Sequence, residues 1–351
     1  MARKILLVKG RSGLGNRLEV LMGGLVYARL TDREVVVDWR DREYSNDRSD
    51  AFPKLFQSWS VTPAHDIASV GDSVYPPDWR GHLDEPVGPM AHARNYNFDA
   101  ILRNLSIDLR RLDYGERIVV LTGSHDRINL MKHYHGSRSP ELDRHSREEI
   151  MAAMLKTEIL PSPEVRSRVD RFKRSHFAGP IVGVHARYSD YRVKLLSLLH
   201  QLNALLRRNP RLQVFLATDN AAVLNLFQRH YPPVISTPHW YDDPGVALHK
   251  SKLNRHRLES AFEAATDLYL LAECNYLVID SSSSFAYLAS LMIDARAERI
   301  RDVTSGQKGY PFLGPAANRR VRVAITNLLQ RTQALGWGVR AFSRVVPIRM
   351  L

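Results

Sequence analysis

The chain has 351 residues, 44% hydrophobic and 25% charged, which reads as soluble and globular and is longer than one core commonly spans, so two domains are expected. A single cysteine, Cys274, excludes an internal disulfide and fits a reducing cytoplasm, and no run approaches transmembrane length. The net charge is +13, yet +8 of it lies in the last 49 residues, where Lys308, Arg319, Arg320, Arg322, Arg331, Arg340, Arg344 and Arg349 follow Asp302 with no acid among them; that argues against nucleic-acid binding by the whole protein and points to an anionic partner for the tail.

In chain order, Lys4 to Val8 reads as a strand, since four consecutive apolar residues are too few for a signal peptide. Gly10-Arg11-Ser12-Gly13-Leu14-Gly15-Asn16-Arg17 reads as a glycine-rich loop, Leu18 to Leu30 as a helix and Glu34 to Trp39 as a second strand, together a βαβ opening. The loop lacks the Gly-Lys-Ser/Thr ending of a phosphate-binding loop and the third glycine of a dinucleotide fingerprint. It is either a tight turn with Asn16 as helix cap or a cleft-facing element. Residues 44–97, rich in Pro, Asp, Ser and Gly, read as loops. A strand follows at Arg117 to Thr122, and helices at Glu148 to Leu155 and Glu164 to Phe177, with a domain boundary near Gly179-Pro180.

The α/β rhythm then returns. Strands are expected at Ile181 to Val184, Gln213 to Ala217, Val234-Ile235 and Tyr276 to Ile279. Helices are expected at Lys194 to Arg208, Ala221 to His230, Ser260 to Ala272 and Phe285 to Met292. Cys274 sits in an apolar helical context as a buried, inert thiol. The fold class is thus α/β, with two Rossmann-like domains facing a cleft, an N-terminal one at 1–178 and a C-terminal one at 179–318, and a basic helical tail at 319–351. The tail either folds back with a solvated basic face or docks on anionic membrane lipid, its arginines alternating with Trp337, Phe342, Val345 and Ile348.

Three strand ends of the second half carry polar groups: His185 and Arg187, Thr218 and Asp219, and Asp280 through Ser284. In a parallel sheet they share one edge, where ligands of open α/β folds bind. An arginine fork suits a phosphate, and serines at a helix start add hydroxyls to outward-pointing N–H groups. The plainer alternatives are an arginine tied to a carboxylate, a serine that only caps a helix, and Thr218-Asp219-Asn220 as a cap before Ala221. His133 and His135 lack the carboxylate spacing of a metal site, and no metal is expected.

These motifs in order, Gly13-Leu14-Gly15-Asn16-Arg17, Gly183-Val184-His185-Ala186-Arg187, Phe215-Leu216-Ala217-Thr218-Asp219 and Asp280 to Phe285, resemble the GDP-fucose-dependent fucosyltransferases, among them the protein O-fucosyltransferases and the α-1,6 enzymes. The likeness is strongest to the bacterial nodulation branch. It extends to Val37-Asp38-Trp39-Arg40, Asp50-Ala51-Phe52-Pro53 and Ala265 to Ala272, and covers about residues 4–300 without the tail. The resemblance implies a GT-B-like fold and an inverting, metal-independent glycosyltransferase that uses GDP-fucose as donor substrate, needs no cofactor and acts on a hydroxyl of a glycan or other acceptor. It implies that Arg187, with His185 beside it, serves the diphosphate catalytically, that Thr218, Asp219, Ser282, Ser283 and Ser284 line the nucleotide, and that Gly15 and Asn16 approach the donor. Where the α-1,6 branch has a second basic residue this chain has Tyr188, so linkage and sugar stay open. Asp38, Asp41 and His125 are the candidate bases for the acceptor's proton. The rival reading is a non-catalytic nucleotide-sugar or polyanion binder acting through the tail. The expected location is cytoplasmic, with peripheral membrane contact through the tail.

Overall fold

The computed structural model describes residues 3–64, 73–190, 192–231, 233–241, 250–251, 253–293 and 299–304. The basic tail expected at 319–351 lies outside the described residues. The chain divides into two units, Met1–Arg166 with Arg255–Ala265, and Ser167–Asn254 with Thr266–Leu351.

The first unit opens as β1 (Ile5–Lys9), α1 (Leu14–Thr31) and β2 (Glu34–Asp38). Next come α2 (Phe52–Leu55), β3 (Phe56–Gln57), β4 (Val61–Pro63), β5 (Val74–Tyr75), α3 (Val87–Ala93), α4 (Phe98–Asn104) and β6 (Ile118–Leu121). It closes with α5 (Ile128–His135), α6 (Pro140–Arg144), α7 (Arg147–Thr157) and β7 (Leu160–Pro161). The main sheet runs β4-β2-β1-β6-β5, parallel throughout, with Leu7 paired to both Val36 and Val120. β3 and β7 form a small antiparallel pair.

A strand covered on both faces is apolar along its buried length, as β1 is from Ile5 to Val8 before Lys9 ends it. Its Leu6 and Val8, with Leu121, lie against α1 at Gly24, while Leu7, Val36 and Val120 join Trp79, Leu83, Val87, Met90, Ile101 and Leu105 on the other face. Residues 44–97, expected as loops, therefore supply two strands of the main sheet and much of the cover of one face. Helix α1 starts at Leu14, four residues before the expected Leu18, with Gly13 as an extended cap (φ −64°, ψ 163°). Asn16 lies within the first turn and is not the cap, which corrects that alternative.

The second unit holds β8 (Ile181–Ala186), α9 (Leu195–Arg208), β9 (Gln213–Thr218), α10 (Ala221–His230), β10 (Val234–Ile235), β11 (Tyr276–Ile279), α12 (Ser284–Met292) and β12 (Ile300–Asp302). Two helices, α8 (Pro163–His176) and α11 (Arg257–Ala272), each carry the division between units within their length. Beyond Arg166, α8 packs on the second sheet, Phe172 lying 5.9 Å from Phe215 ring to ring, so the division falls earlier in the chain than the expected 178/179.

The second sheet runs β10-β9-β8-β11-β12, again all parallel. Counted within the unit this is third, second, first, fourth, fifth, the doubly wound order, and its direction of winding reverses between β8 and β11. Its core packs Val182, Val184, Leu198, Leu202, Val214, Leu216, Val223 and Phe227 between sheet and helices. The expected class, α/β with two Rossmann-like units, is met.

Candidate active site

Parallel pairing brings the ends of β8 and β9 level, with Ala186 opposite Thr218. The neighbouring strand β11 ends in Asp280, at the reversal of strand order where such folds open a crevice.

Asp280 is buried and organises this edge. Its carboxylate accepts from the Ser282 hydroxyl and N–H, from Thr304 Oγ1 at 2.8 Å, and from Lys194 N at 3.2 Å. Burial works against its charge, but these hydrogen bonds outweigh it and hold the carboxyl below its ordinary value. Ser281 is tied to Asp302 and Thr304, and Lys194 Nζ donates to the carbonyls of Val303 and Thr304. The short strand β12, its Asp302 and the following Thr304 were not foreseen, because one apolar residue followed by two charged ones gives no strand signal.

Of the serines, Ser282 is exposed and bound to Asp280, and Ser284 opens α12. Ser283 is the N-cap residue, yet its side chain makes no cap bond. Its hydroxyl is buried without a hydrogen-bond partner. The plain capping alternative therefore fails for Ser283. His185 is 7% exposed, its ring stacked on Phe285 at 5.0 Å, and its Nδ1 likewise lacks a partner. Burial pushes its pKa down to about 3, Arg187 adds to the shift and Asp280 opposes it, so the ring is neutral at physiological pH.

Arg187 realises the plainer alternative in part: its Nη2 lies 2.6 Å from Asp190 and its Nε 3.8 Å from Asp219. The guanidinium remains a quarter exposed. Asp219 accepts from Tyr188 N at 2.7 Å and from the Ser189 hydroxyl, bracing the loop after β8, and burial pushes its pKa up. The Thr218 hydroxyl donates to Ala186 O at 2.6 Å and Asn220 caps α10 through Val223 N, as the capping alternative had it. Beyond β10, Thr237, His239 and Asp267 form a buried triangle, with His239 Nε2 2.8 Å from Asp267. Asp267 belonged to a quoted motif, but nothing in the sequence marked His239.

The first unit holds the other expected residues. Gly15 is buried and Asn16 half-buried in the first turn of α1. Arg17 beside them is fully buried, bonded to Ser12 O, Asp41 and Glu43 and stacked 4.2 Å from the Tyr44 ring. Asp38 is buried in a 2.7 Å pair with Lys9 and a further pair with Arg40. Burial disfavours its charge, but Lys9 and Arg40 together hold the carboxyl below its ordinary value. Asp41 is bound to Arg17 at 2.7 Å, with its pKa pushed up by burial. His125, by contrast, is open to solvent and touches Glu19. His135 Nε2 lies 3.1 Å from Leu109 O, and no group of three or more potential metal ligands occurs among the described residues. No described helix is long and apolar enough to cross a membrane. A cavity of about 1350 Å³ in the first unit, lined by Arg29, Asp32, Arg138, Glu141 and others, opens at the C-terminal end of α1, so at the amino edge of the sheet, away from the strand ends.

A family model described as "Nodulation protein Z (NodZ)" matches residues 143–305. Nodulation protein Z of Bradyrhizobium diazoefficiens is 26% identical over 304 residues, 80% of this chain and 77% of that protein. The crystal structure of the fucosyltransferase NodZ from Bradyrhizobium superposes with a TM-score of 0.57 at 25% identity, covering 84% of this chain and 94% of that one. The chain resembles the GDP-fucose fucosyltransferases over most of its length. The structure of NodZ α-1,6-fucosyltransferase co-crystallised with GDP shares the fold, with a TM-score of 0.58 at 24% identity over 84% of this chain and 93% of that one. The resemblance expected from the motifs is thereby met, and the solved structures that match are named fucosyltransferases.

Proposed function

We propose that this chain is an inverting, metal-independent fucosyltransferase that moves fucose from GDP-fucose to a hydroxyl of a glycan or other acceptor, using no cofactor. The observation that carries the reading is the pair of partnerless buried atoms, His185 Nδ1 on strand β8 and Ser283 Oγ between β11 and α12, since β8 and β11 flank the reversal of strand order. Buried polar groups are nearly always bonded, and such orphans beside an arginine await a polar ligand. Relatives bound to GDP support a nucleoside diphosphate as that ligand.

The difficult step is departure of GDP, which builds negative charge on the β-phosphate. Arg187, the first N–H groups of α12 and the Ser283 hydroxyl would stabilise that charge more in the transition state than in the substrate. The Arg187–Asp190 pair is a quarter to a third exposed and so weak, and a diphosphate can displace the carboxylate from the fork. Neutral His185 serves as a hydrogen-bond partner rather than a cation. Thr218 and Asp219 shape the wall through the loops they brace; for Gly15 and Asn16, in the first turn of α1, a role at the donor rests on the family resemblance alone. The lone cysteine, buried with its thiol pKa pushed up by burial, fits work in the reducing cytoplasm.

A donor screen tests this. GDP and GDP-fucose should raise the melting temperature, by the equivalent of about 2.7 kcal/mol at a hundredfold excess over Kd, and UDP-sugars should not. Fucose release from GDP-fucose should persist in EDTA. A protein that ignores GDP but binds polyanions with steep salt dependence would be the non-catalytic binder instead.

A further inference from the structure

The second sheet has two edges, and the one away from the nucleotide crevice carries a charge pattern of its own. Its strands are all parallel, so they all start along one margin. The helices that lead into those strands end there with cations: Arg174 in the last turn of α8, Arg207 and Arg208 in that of α9, and Arg229 in that of α10. Arg211 stands in the loop before β9, and Arg299 directly precedes β12. Gln213 N donates to Pro180 O at 3.0 Å, which draws the starts of β8 and β9 level.

All six arginines are exposed. None has a carboxylate partner among the described residues, and Arg299 lies 5.8 Å from the Tyr276 ring. Within these last turns and the loops that follow them, Glu273 is the only acid described, and Lys173 holds it. A helix C-terminus favours a cation, which accounts for one on each helix. It does not account for Arg211 and Arg299, nor for loops that leave acids out.

The array is broad in two directions. Neighbouring strands lie about 4.8 Å apart, so from β10 to β12 it runs about 20 Å along the sheet. Helix α8 packs on Phe215, whereas α9 and α10 pack on Val214 and Leu216, which point the other way, so the cations also flank both faces. A single phosphate needs convergent donors, and a nucleic-acid strand needs a line of cations with aromatic platforms. A plane of unpaired cations matches a plane of anionic headgroups. The last 49 residues, in the same unit, add +8, and two basic elements hold a membrane where one gives marginal attachment.

We propose that the amino edge of the second sheet is a docking surface for an anionic lipid bilayer. The inference stands independently of the donor reading. The six residues of β8 hold the two edges about 20 Å apart, so docking leaves His185, Arg187 and Ser283 free to take a nucleotide.

Vesicle co-sedimentation of the full chain tests this. Wild type should bind phosphatidylcholine vesicles containing about 30% phosphatidylglycerol, ignore pure phosphatidylcholine, and come off in about 0.5 M salt. Each cation at such a surface strengthens binding about fivefold, so Arg207→Gln, Arg208→Gln and Arg211→Gln together should weaken it by about 100-fold. Removing the same charge from exposed positions of the first unit, with Arg80→Gln, Arg103→Gln and Arg144→Gln, should change it by less than about threefold. Both variants should melt as wild type does, since all six side chains are exposed. Wild type that ignores anionic vesicles overturns the proposal, as does an edge variant that loses no more than the control. Displacement from vesicles by an oligonucleotide at equal phosphate concentration also overturns it and marks a polyanion site instead.

Discussion

The two sheets carry charge at their carboxyl edges in opposite ways. In the first unit, Lys9 and Asp38 are both about 2% exposed and closed on each other, and Arg17 is sealed between Asp41, Glu43 and two aromatic rings. In the second, Arg187 and its partner Asp190 are 25% and 30% exposed; buried polar atoms without a partner occur at both edges, Arg17 Nη1 and Trp39 Nε1 at the first and His185 Nδ1 and Ser283 Oγ at the second, so exposure of the ion pair is what separates the two. A buried pair is costly to break, because the survivor is left charged in a medium that cannot solvate it. An open pair is nearly free to break. The first arrangement holds a scaffold in place; the second leaves interactions unspent for a ligand.

The contrast breaks most readily at the ion pairs. Asp38→Ala should cost about 3–5 kcal/mol in urea unfolding, since it strands the Lys9 ammonium. Arg187→Ala should cost under about 1 kcal/mol of stability yet cut turnover by about 100-fold, a transition-state loss of about 2.7 kcal/mol. If Asp38→Ala unfolds no more easily than wild type, or if Arg187→Ala loses stability and keeps turnover, the assignment of scaffold and site is reversed.

What the sequence could convey follows the same division. The central strands β1, β2, β6, β8, β9 and β11 are covered on both faces, so their apolar runs are continuous and legible. Edge strands β4, β5 and β12 have two or three residues each and lean on prolines or polar ends, so pattern alone does not register them. Helix α1 begins among glycines because extended Gly13 caps it, and Gly-Leu-Gly reads as loop by propensity. The polar strand ends of the second unit were legible because a polar residue stands out after an apolar run. The Glu19–His125 pair was not: Glu19 lies on a helix and His125 106 positions away, and only the close approach of Asp126 O to Gly23 joins them.

Buried His185 and half-buried Asp50 extend the comparison to pH. His185 in the second unit has its pKa pushed down to about 3, so between pH 6.5 and 3 the unfolded chain binds a proton the native one refuses. Stability tied to it is lost as pH falls through that window. In the first unit, burial pushes Asp50 up to about 6, partly opposed by hydrogen bonds from Phe52 N and Trp39 N. There the native state keeps a proton the unfolded one has released, and stability is lost as pH rises from about 4 to 6. His185→Gln should flatten the acid limb of unfolding free energy by about 1–3 kcal/mol, and Asp50→Asn should stabilise by a similar amount at pH 7 and by nothing below pH 4. Equal slopes in wild type and variants would show that neither group is shielded as the structure places it.

The smallest effect bears most directly on why the second edge is left open. The Ser283 hydroxyl makes no bond within the protein, so deleting it removes no native interaction. Ser283→Ala should change stability by no more than about 0.5 kcal/mol, and a slight gain is the expected sign, because an unsatisfied buried hydroxyl is itself a cost. GDP affinity should fall by about 3- to 10-fold if that hydroxyl donates to the diphosphate, the loss of one hydrogen bond to a charged group. Calorimetry separates the outcomes. Unchanged stability with weakened GDP binding assigns the orphan to the ligand, whereas a loss of stability with unchanged binding makes it a structural hydroxyl and removes the main support for a nucleotide at the start of α12.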